Sequence, residues 1–143
     1  MEKLREIIDS KSFVVLGVGN PERGDDGVGN YVVSKLNTKR KIDCGNVPEN
    51  FTRQIRDMNP EIILIVDAVD FGGKAGEKIF TKAENAKGAA LSTHSLPLSV
   101  FCKLFPESKS YIIGIQPDNF AKISEKIKTA GDGLAKELNS ILK

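Results

Sequence analysis

The chain has 143 residues, of which 40% are hydrophobic and 28% charged, and its formal net charge is +2. These values are typical of a globular protein, predict one domain over residues 1–143, and give no electrostatic argument for nucleic-acid binding. No apolar run approaches the roughly 20 residues that a membrane-spanning helix requires. The two cysteines, Cys44 and Cys102, lack the CxxC spacing of a zinc site. We therefore expect reduced thiols in a cytoplasmic protein.

The first half of the chain alternates predicted helices and strands. Leu4, Ile7 and Ile8 have the spacing of a short amphipathic helix. The β-branched run at 13–16 predicts a buried strand that ends at Gly17. Further along, the pattern predicts a helix over 28–37, a weak strand over 41–44 and a helix over 50–58.

The second half continues the alternation. The most apolar run of the chain, 61–66, predicts a central strand that ends at Asp67. Beyond it, we expect a strand over 77–82, a helix over 97–105 and a strand over 111–115. A last helix has an apolar face that runs from Ile123 to Leu142. Gly131 and Gly133 weaken the middle of this helix, where a kink could form. Strands that alternate with helices predict an α/β three-layer sandwich, a mostly parallel sheet with helices on both faces.

Polar side chains follow four of the predicted strands. They are Asn20, Arg23, Asp25 and Asp26 after the first strand, Asp67 and Asp70 after the central strand, Thr93 and His94 after the fourth, and Gln116 and Asp118 after the last. Ligands of open α/β sheets bind at the carboxyl ends of the strands. We therefore expect carboxylates, an imidazole and an amide to converge on a site at that edge.

The glycine-rich segment 17–29 does not match a nucleotide-binding loop. Glu22 occupies the position of the third glycine of a dinucleotide fingerprint, and Asp25 and Asp26 stand where a P-loop needs Lys and Ser or Thr. Two carboxylates would repel a phosphate, so the segment is interpreted as one that presents acidic groups. The alternative, that one of the two aspartates only caps the next helix, stays open.

Two carboxylates and the only histidine of the chain are the candidate metal ligands. Asp67 leaves the core at a strand end, where a carboxylate needs a cation or several hydrogen-bond donors. Together with Asp26 and His94 it forms an O,O,N set that suits a divalent ion such as zinc or nickel. For Asp70, we prefer the simpler interpretation that it caps the turn at 72–73.

The cysteines are interpreted as small buried hydrophobic residues. A nucleophile pair of Cys44 with His94 is conceivable, but no local pattern supports it.

Four short motifs resemble, in order, those of the nickel–iron hydrogenase maturation endopeptidases. They are GVGNPERGDDGVG at 17–29, VDAVD followed by Phe-Gly at 66–72, THSLPL at 93–98 and GIQP at 114–117. The last motif, and aspartate rather than glutamate at position 26, resemble the branch that matures formate-hydrogenlyase-type hydrogenases. The resemblance covers residues 13–118 and implies a twisted, mostly parallel five-stranded sheet.

The resemblance also implies an activity. Such enzymes remove a C-terminal extension from the precursor of the hydrogenase large subunit after nickel has been inserted. The nickel-recognising and catalytic positions fall on Asp26, Asp67 and His94. The expected partner is that precursor, which supplies the nickel, so no permanent metal is expected in the isolated protein. We expect no nucleic-acid or membrane partner, and a monomer or weak dimer.

Three other functions stay open at this point. A nickel-binding maturation chaperone that is not an enzyme would use the same O,O,N set. A nucleotide-binding domain would use the glycine-rich segment, although Asp25 and Asp26 argue against it. A self-contained metallohydrolase would hold its own zinc ion.

Overall fold

The computed structural model describes residues 2–85 and 97–142. The described strands form one sheet in the order β2-β1-β3-β5-β4. They are β1 (Phe13–Gly17), β2 (Lys41–Asp43), β3 (Ile62–Ala68), β4 (Lys78–Lys82) and β5 (Lys109–Ile115). The described helices are α1 (Glu2–Ile8), α2 (Val28–Ser34), α3 (Thr52–Met58), α4 (Leu98–Phe101) and α5 (Glu125–Ile141). All neighbouring strands are parallel except β4, which runs antiparallel to β5.

Each face of the sheet carries its own buried apolar cluster. Helices α1, α2 and α5 contribute Leu4, Val32 and Leu134 to one cluster. Helices α3 and α4 contribute Ile55 and Leu98 to the other. The strands serve both clusters because successive side chains of a strand point to opposite faces. The predicted three-layer α/β sandwich with a mostly parallel five-stranded sheet is confirmed.

The central strand is longer than predicted. β3 covers Ile62–Ala68, so Asp67 lies inside the strand instead of after it. The strand continues because β5 extends equally far, and Asp67 is in register with Gly114. A parallel strand persists as long as a neighbour supplies its hydrogen bonds.

Two helices end at residues other than those that the sequence predicted. α2 stops at Ser34 rather than at residue 37, because the next two amides, of Lys35 and Leu36, donate to the carbonyls three residues back. The helix expected over 97–105 contains only one α-helical segment, Leu98–Phe101, followed by the 3-10 turn Cys102–Leu104.

The last helix is continuous through its glycines. α5 begins at Glu125, so Ile123 precedes it, and no break occurs at Gly131 or Gly133. A Cβ at Gly131 would lie 3.1 Å from the Tyr31 ring and 3.3 Å from Val32. The missing side chain therefore allows α5 and α2 to pack closely.

Gly29 allows the first turn of α2 to lie directly on two strand ends. A Cβ at this position would come within 2.1 Å of the Val66 carbonyl oxygen and 2.6 Å of the Val18 carbonyl oxygen. Both oxygens belong to the backbone, so they cannot rotate away from an added methyl group as a flexible side chain could. We expect Gly29→Ala to lower the free energy of unfolding by about 3 kcal/mol, measured by urea denaturation.

The matched control is Gly133→Ala, at a helical glycine whose Cβ would meet nothing within 4 Å. Alanine there is expected to stabilise the protein by up to about 1 kcal/mol, because it favours the helix. Equal unfolding free energies for the two variants would contradict the proposed close contact at Gly29.

Candidate active site

Asp26 and Asp67 are carried by neighbouring strand ends. Gly17, the last residue of β1, is in register with Val66, so Asp67 lies one position beyond the end of β1. The chain leaving β1 remains attached there, because the Val18 amide donates to the Val66 carbonyl at 3.0 Å. Asp26 is hydrogen-bonded to this same segment after β1, since the Asn20 amide donates to its Oδ2 at 3.1 Å.

Both carboxylates are withdrawn from water. Asp67 is 0% exposed and Asp26 is 2% exposed. The Ala68 amide donates to Asp67 Oδ1 at 2.8 Å. Buried carboxylates are costly unless donors or a cation offset the lost hydration, which makes this pair suitable for binding a positive charge.

Asp25 has a different role from its neighbour. It is 0% exposed, and its carboxylate accepts hydrogen bonds from the amides of Asp118, Asn119 and Ser124 at 2.8, 2.8 and 2.7 Å. The Ser124 hydroxyl also donates to it at 3.2 Å. Asp25 therefore joins the segment between β5 and α5 to the glycine-rich segment.

The expectation that one of the two aspartates caps α2 is wrong. The N-cap of α2 is Gly27, which has no side chain to bond the amides of the first turn. The reason is that the segment Pro21–Gly27 forms 3-10 turns with a kink at Arg23 and Gly24. The 3-10 segment has its own N-cap, Asn20, whose Oδ1 accepts from the Glu22 amide at 3.0 Å.

Asp70 is a turn cap, as the sequence predicted. Its Oδ1 accepts from the Gly72 amide at 3.1 Å and from Gln116 Nε2 at 3.0 Å. The Gln116 hydrogen bond, followed by that of the Gly72 amide, lowers the pKa of the Asp70 carboxyl. Gln116 Oε1 in turn accepts from the amides of Phe71 and Gly73 at 2.9 and 3.0 Å. Gln116 thus holds the segment after β3 beside the end of β5.

The structure also contains a polar pair that sequence reasoning missed. Asn30 in α2 is 5% exposed, and its Nδ2 donates to Asp43 Oδ1 at 2.7 Å. That oxygen also accepts from the Gly45 amide at 3.0 Å, and the Gly45 carbonyl accepts from the Gly19 amide at 2.8 Å. The pair therefore joins the ends of β1 and β2. The feature of the sequence that could have indicated this pair is Asn30, a polar residue on the buried side of the predicted helix.

The other residues predicted for the site are Thr93, His94 and Arg23. Thr93 and His94 lie outside the described residues. Within the described ranges, no group of three or more His, Cys, Asp or Glu side chains is arranged to hold a metal ion. Arg23 lies at the surface with its guanidinium 5.5 Å from the ring centroid of Phe120.

The cysteine thiols are free, and burial raises the pKa of both. For Cys44, burial and then the Asp43 charge raise the pKa to about 12. Such a thiol stays protonated at neutral pH, whereas the thiolate is the nucleophile. Cys44 is therefore a poor partner for a catalytic imidazole.

A cavity of about 600 Å³ lies away from these carboxylates. Its walls include Lys109, Ser110 and Tyr111 at the start of β5, together with Lys82 and Cys102. Because β5 is parallel to β1 and β3, its start lies at the edge opposite the strand ends that carry Asp26 and Asp67. The chemistry-bearing groups and this cavity are therefore separate features.

No helix within the described residues combines the length and apolar character needed to cross a bilayer.

Comparison with known proteins matches this fold and sequence to one family. The family described as "Hydrogenase maturation protease" (HycI) matches residues 31–141. The Hydrogenase 3 maturation protease of Escherichia coli strain K12 is 38% identical over 113 residues, which cover 73% of this chain and 72% of that protein.

Two solved structures agree. The crystal structure of the [NiFe] hydrogenase maturation protease HycI from Thermococcus kodakarensis KOD1 has a TM-score of 0.85 and 32% identity, covering 98% of both chains. The solution structure of the endopeptidase HycI from Escherichia coli has a TM-score of 0.81 and 31% identity, covering 90% of both chains. The fold is thus that of an α/β endopeptidase. More specifically, the chain belongs to the HycI family of hydrogenase maturation proteases.

Proposed function

We propose that this endopeptidase removes the C-terminal extension of a nickel–iron hydrogenase large-subunit precursor after nickel insertion. In this proposal Asp26, Asp67 and His94 recognise the nickel that the precursor carries. The observation that supports it most directly is the pair of buried carboxylates on neighbouring strand ends, Asp67 on β3 and Asp26 beyond β1. Buried carboxylates in this position favour a cationic partner over a neutral peptide alone.

The position of the described residues around Asp67 supports His94 as the third ligand. Ile63 and Ile65 of β3 belong to the cluster on the α3–α4 face, and Asp67 follows them in the same alternation. α4 starts at Leu98, four positions after His94, and Leu98 is buried in that same cluster. Leu98 therefore lies on the α3–α4 face of the sheet, and the alternation of side chains along β3 places Asp67 on this same face.

The three side chains form an O,O,N set that suits a borderline divalent ion and leaves coordination positions for ligands from the precursor. Anchoring through the nickel would hold the cleavage site in one geometry. The ion would act there as a Lewis acid, and one of the two carboxylates would act as general base. A precursor without nickel would lack the anchor, which explains why cleavage would follow metal insertion.

The test is cleavage of a purified candidate precursor with and without nickel, followed by the mass of the large subunit. We expect the extension to be lost only from the nickel-loaded precursor. Cleavage at equal rates in both samples would contradict nickel recognition, and cleavage in neither would contradict the proposed activity on that precursor.

The two metal-based alternatives predict different results in the same samples. A maturation chaperone without protease activity would bind free nickel and leave the length of the precursor unchanged. A self-contained metallohydrolase would carry a stoichiometric ion after purification, which metal analysis would detect.

A further inference from the structure

An aromatic side chain stands at the surface next to the glycine-rich segment. Phe120 is 49% exposed, more than Val47, Val100 or Leu104, the other exposed large apolar side chains in the described ranges. One exposed apolar residue is ordinary on a protein surface. Phe120 differs because its backbone lies against Gly24 of the glycine-rich segment and because the Arg23 guanidinium lies over its ring.

The segment that carries Phe120 is held by several hydrogen bonds. Asp25 accepts from the amides of Asp118 and Asn119, and Asn119 Oδ1 accepts from the amides of Ala121 and Lys122 at 3.2 and 3.3 Å. The Asp25 amide donates back to the Asn119 carbonyl at 3.0 Å. The exposed ring is therefore presented by an ordered turn.

The turn lies directly against the segment that leads to Asp26. A Cβ at Gly24 would come within 2.8 Å of Lys122 and of the Phe120 backbone. Arg23 precedes this glycine and places its guanidinium 5.5 Å from the Phe120 ring centroid. Within the described residues, the Arg23 side chain has this ring contact and no hydrogen-bond acceptor. A stacked guanidinium keeps its in-plane donors available for a carboxylate.

We propose that Arg23 and Phe120 form the docking surface for the polypeptide of the substrate precursor next to its cleavage site. This inference rests on the proposed function. The occupant is a peptide segment with an apolar side chain for the open face of the Phe120 ring and a carboxylate for the Arg23 guanidinium. The pair combines an apolar ring with a planar cation that has no hydrogen-bond acceptor among the described residues, and Arg23 lies three positions before Asp26 in the chain. Phenylalanine and arginine are among the side chains enriched at protein interfaces.

The test measures precursor binding and precursor cleavage separately. Affinity is measured with labelled nickel-loaded precursor, and initial rates at several precursor concentrations give KM and kcat. Phe120→Ala and Arg23→Ala are each expected to weaken binding and to raise KM at least tenfold, which corresponds to about 1.4 kcal/mol. kcat is expected to stay within about twofold, because the proposal assigns both residues to binding of the precursor and neither to the chemical step. Phe120→Tyr retains the ring and is expected to behave as wild type.

The matched control is Leu104→Ala. Leu104 is 36% exposed and lies in the turn that precedes β5, toward the opposite edge of the sheet. This variant should bind and cleave as wild type, and all variants should keep the wild-type denaturation midpoint. Unchanged affinity of both Phe120→Ala and Arg23→Ala would overturn the docking surface even if cleavage is normal. If wild type binds but does not cleave, while both variants bind more weakly, only the proposed activity fails.

Discussion

Nickel-loaded precursor is expected to remain at full length when it is incubated with Asp26→Asn, Asp67→Asn or His94→Ala, under conditions in which wild type removes the extension. Each change deletes one proposed ligand of the substrate nickel. The two carboxylate changes also delete a candidate general base. We expect rates at least roughly 100-fold below wild type, the scale of a lost acid–base or metal-anchoring group. The measurement is the mass of the large subunit over time.

Asp70→Asn is the matched control for these variants. Asp70 is an exposed carboxylate at the same edge of the sheet, and its hydrogen bonds hold the turn that follows β3. Asparagine keeps an acceptor oxygen for that turn, so processing is expected to remain at the wild-type level. Processing at the wild-type rate by both His94→Ala and Asp26→Asn would refute the proposed ligand set.

Asp25→Leu is expected to lower the free energy of unfolding by about 4 kcal/mol, the scale of a buried charged hydrogen-bonding group that loses its partners. Leucine is similar in size but leaves three amides and the Ser124 hydroxyl without their acceptor. Each buried donor left unpaired costs about 1–3 kcal/mol. Urea denaturation of wild type and variant measures the difference.

Asp132→Asn provides the comparison. Its carboxylate also joins two elements, accepting from the Tyr31 hydroxyl at 2.6 Å, but both residues are at the surface or half-buried. An exposed hydrogen bond of this kind is worth about 1 kcal/mol or less. If Asp25→Leu costs no more than Asp132→Asn, the assigned structural role of Asp25 is wrong.

The local pattern of the chain was sufficient to predict the strands and the layered fold. Apolar runs such as 61–66 have the length and the β-branched content of buried parallel strands. Element ends were less predictable: Asp67 belongs to β3 because β5 continues alongside it, and that pairing depends on residues far away in the chain. The same reasoning applies to α5, where packing of Gly131 on Tyr31 depends on a second helix.

For the site too, local sequence pattern identified the candidates, whereas contacts between distant segments decided their roles. Strand-end placement put Asp26 and Asp67 among the candidates, since the carboxyl ends of parallel strands lie at one edge of the sheet. It could not separate Asp25 from Asp26, because adjacent aspartates look alike in a sequence. The hydrogen bonds that separate them come from residues 93 to 99 positions away.

The order of strands and helices, the burial of the sheet on both faces and the choice of acidic candidates follow from the sequence alone, because periodicity and strand ends are local properties. Tertiary structure decided which aspartate is a structural hydrogen-bond acceptor, how far β3 extends and that Phe120 is held beside Arg23. Each of these depends on contacts between segments that are distant in the chain, and local composition carries no record of such contacts.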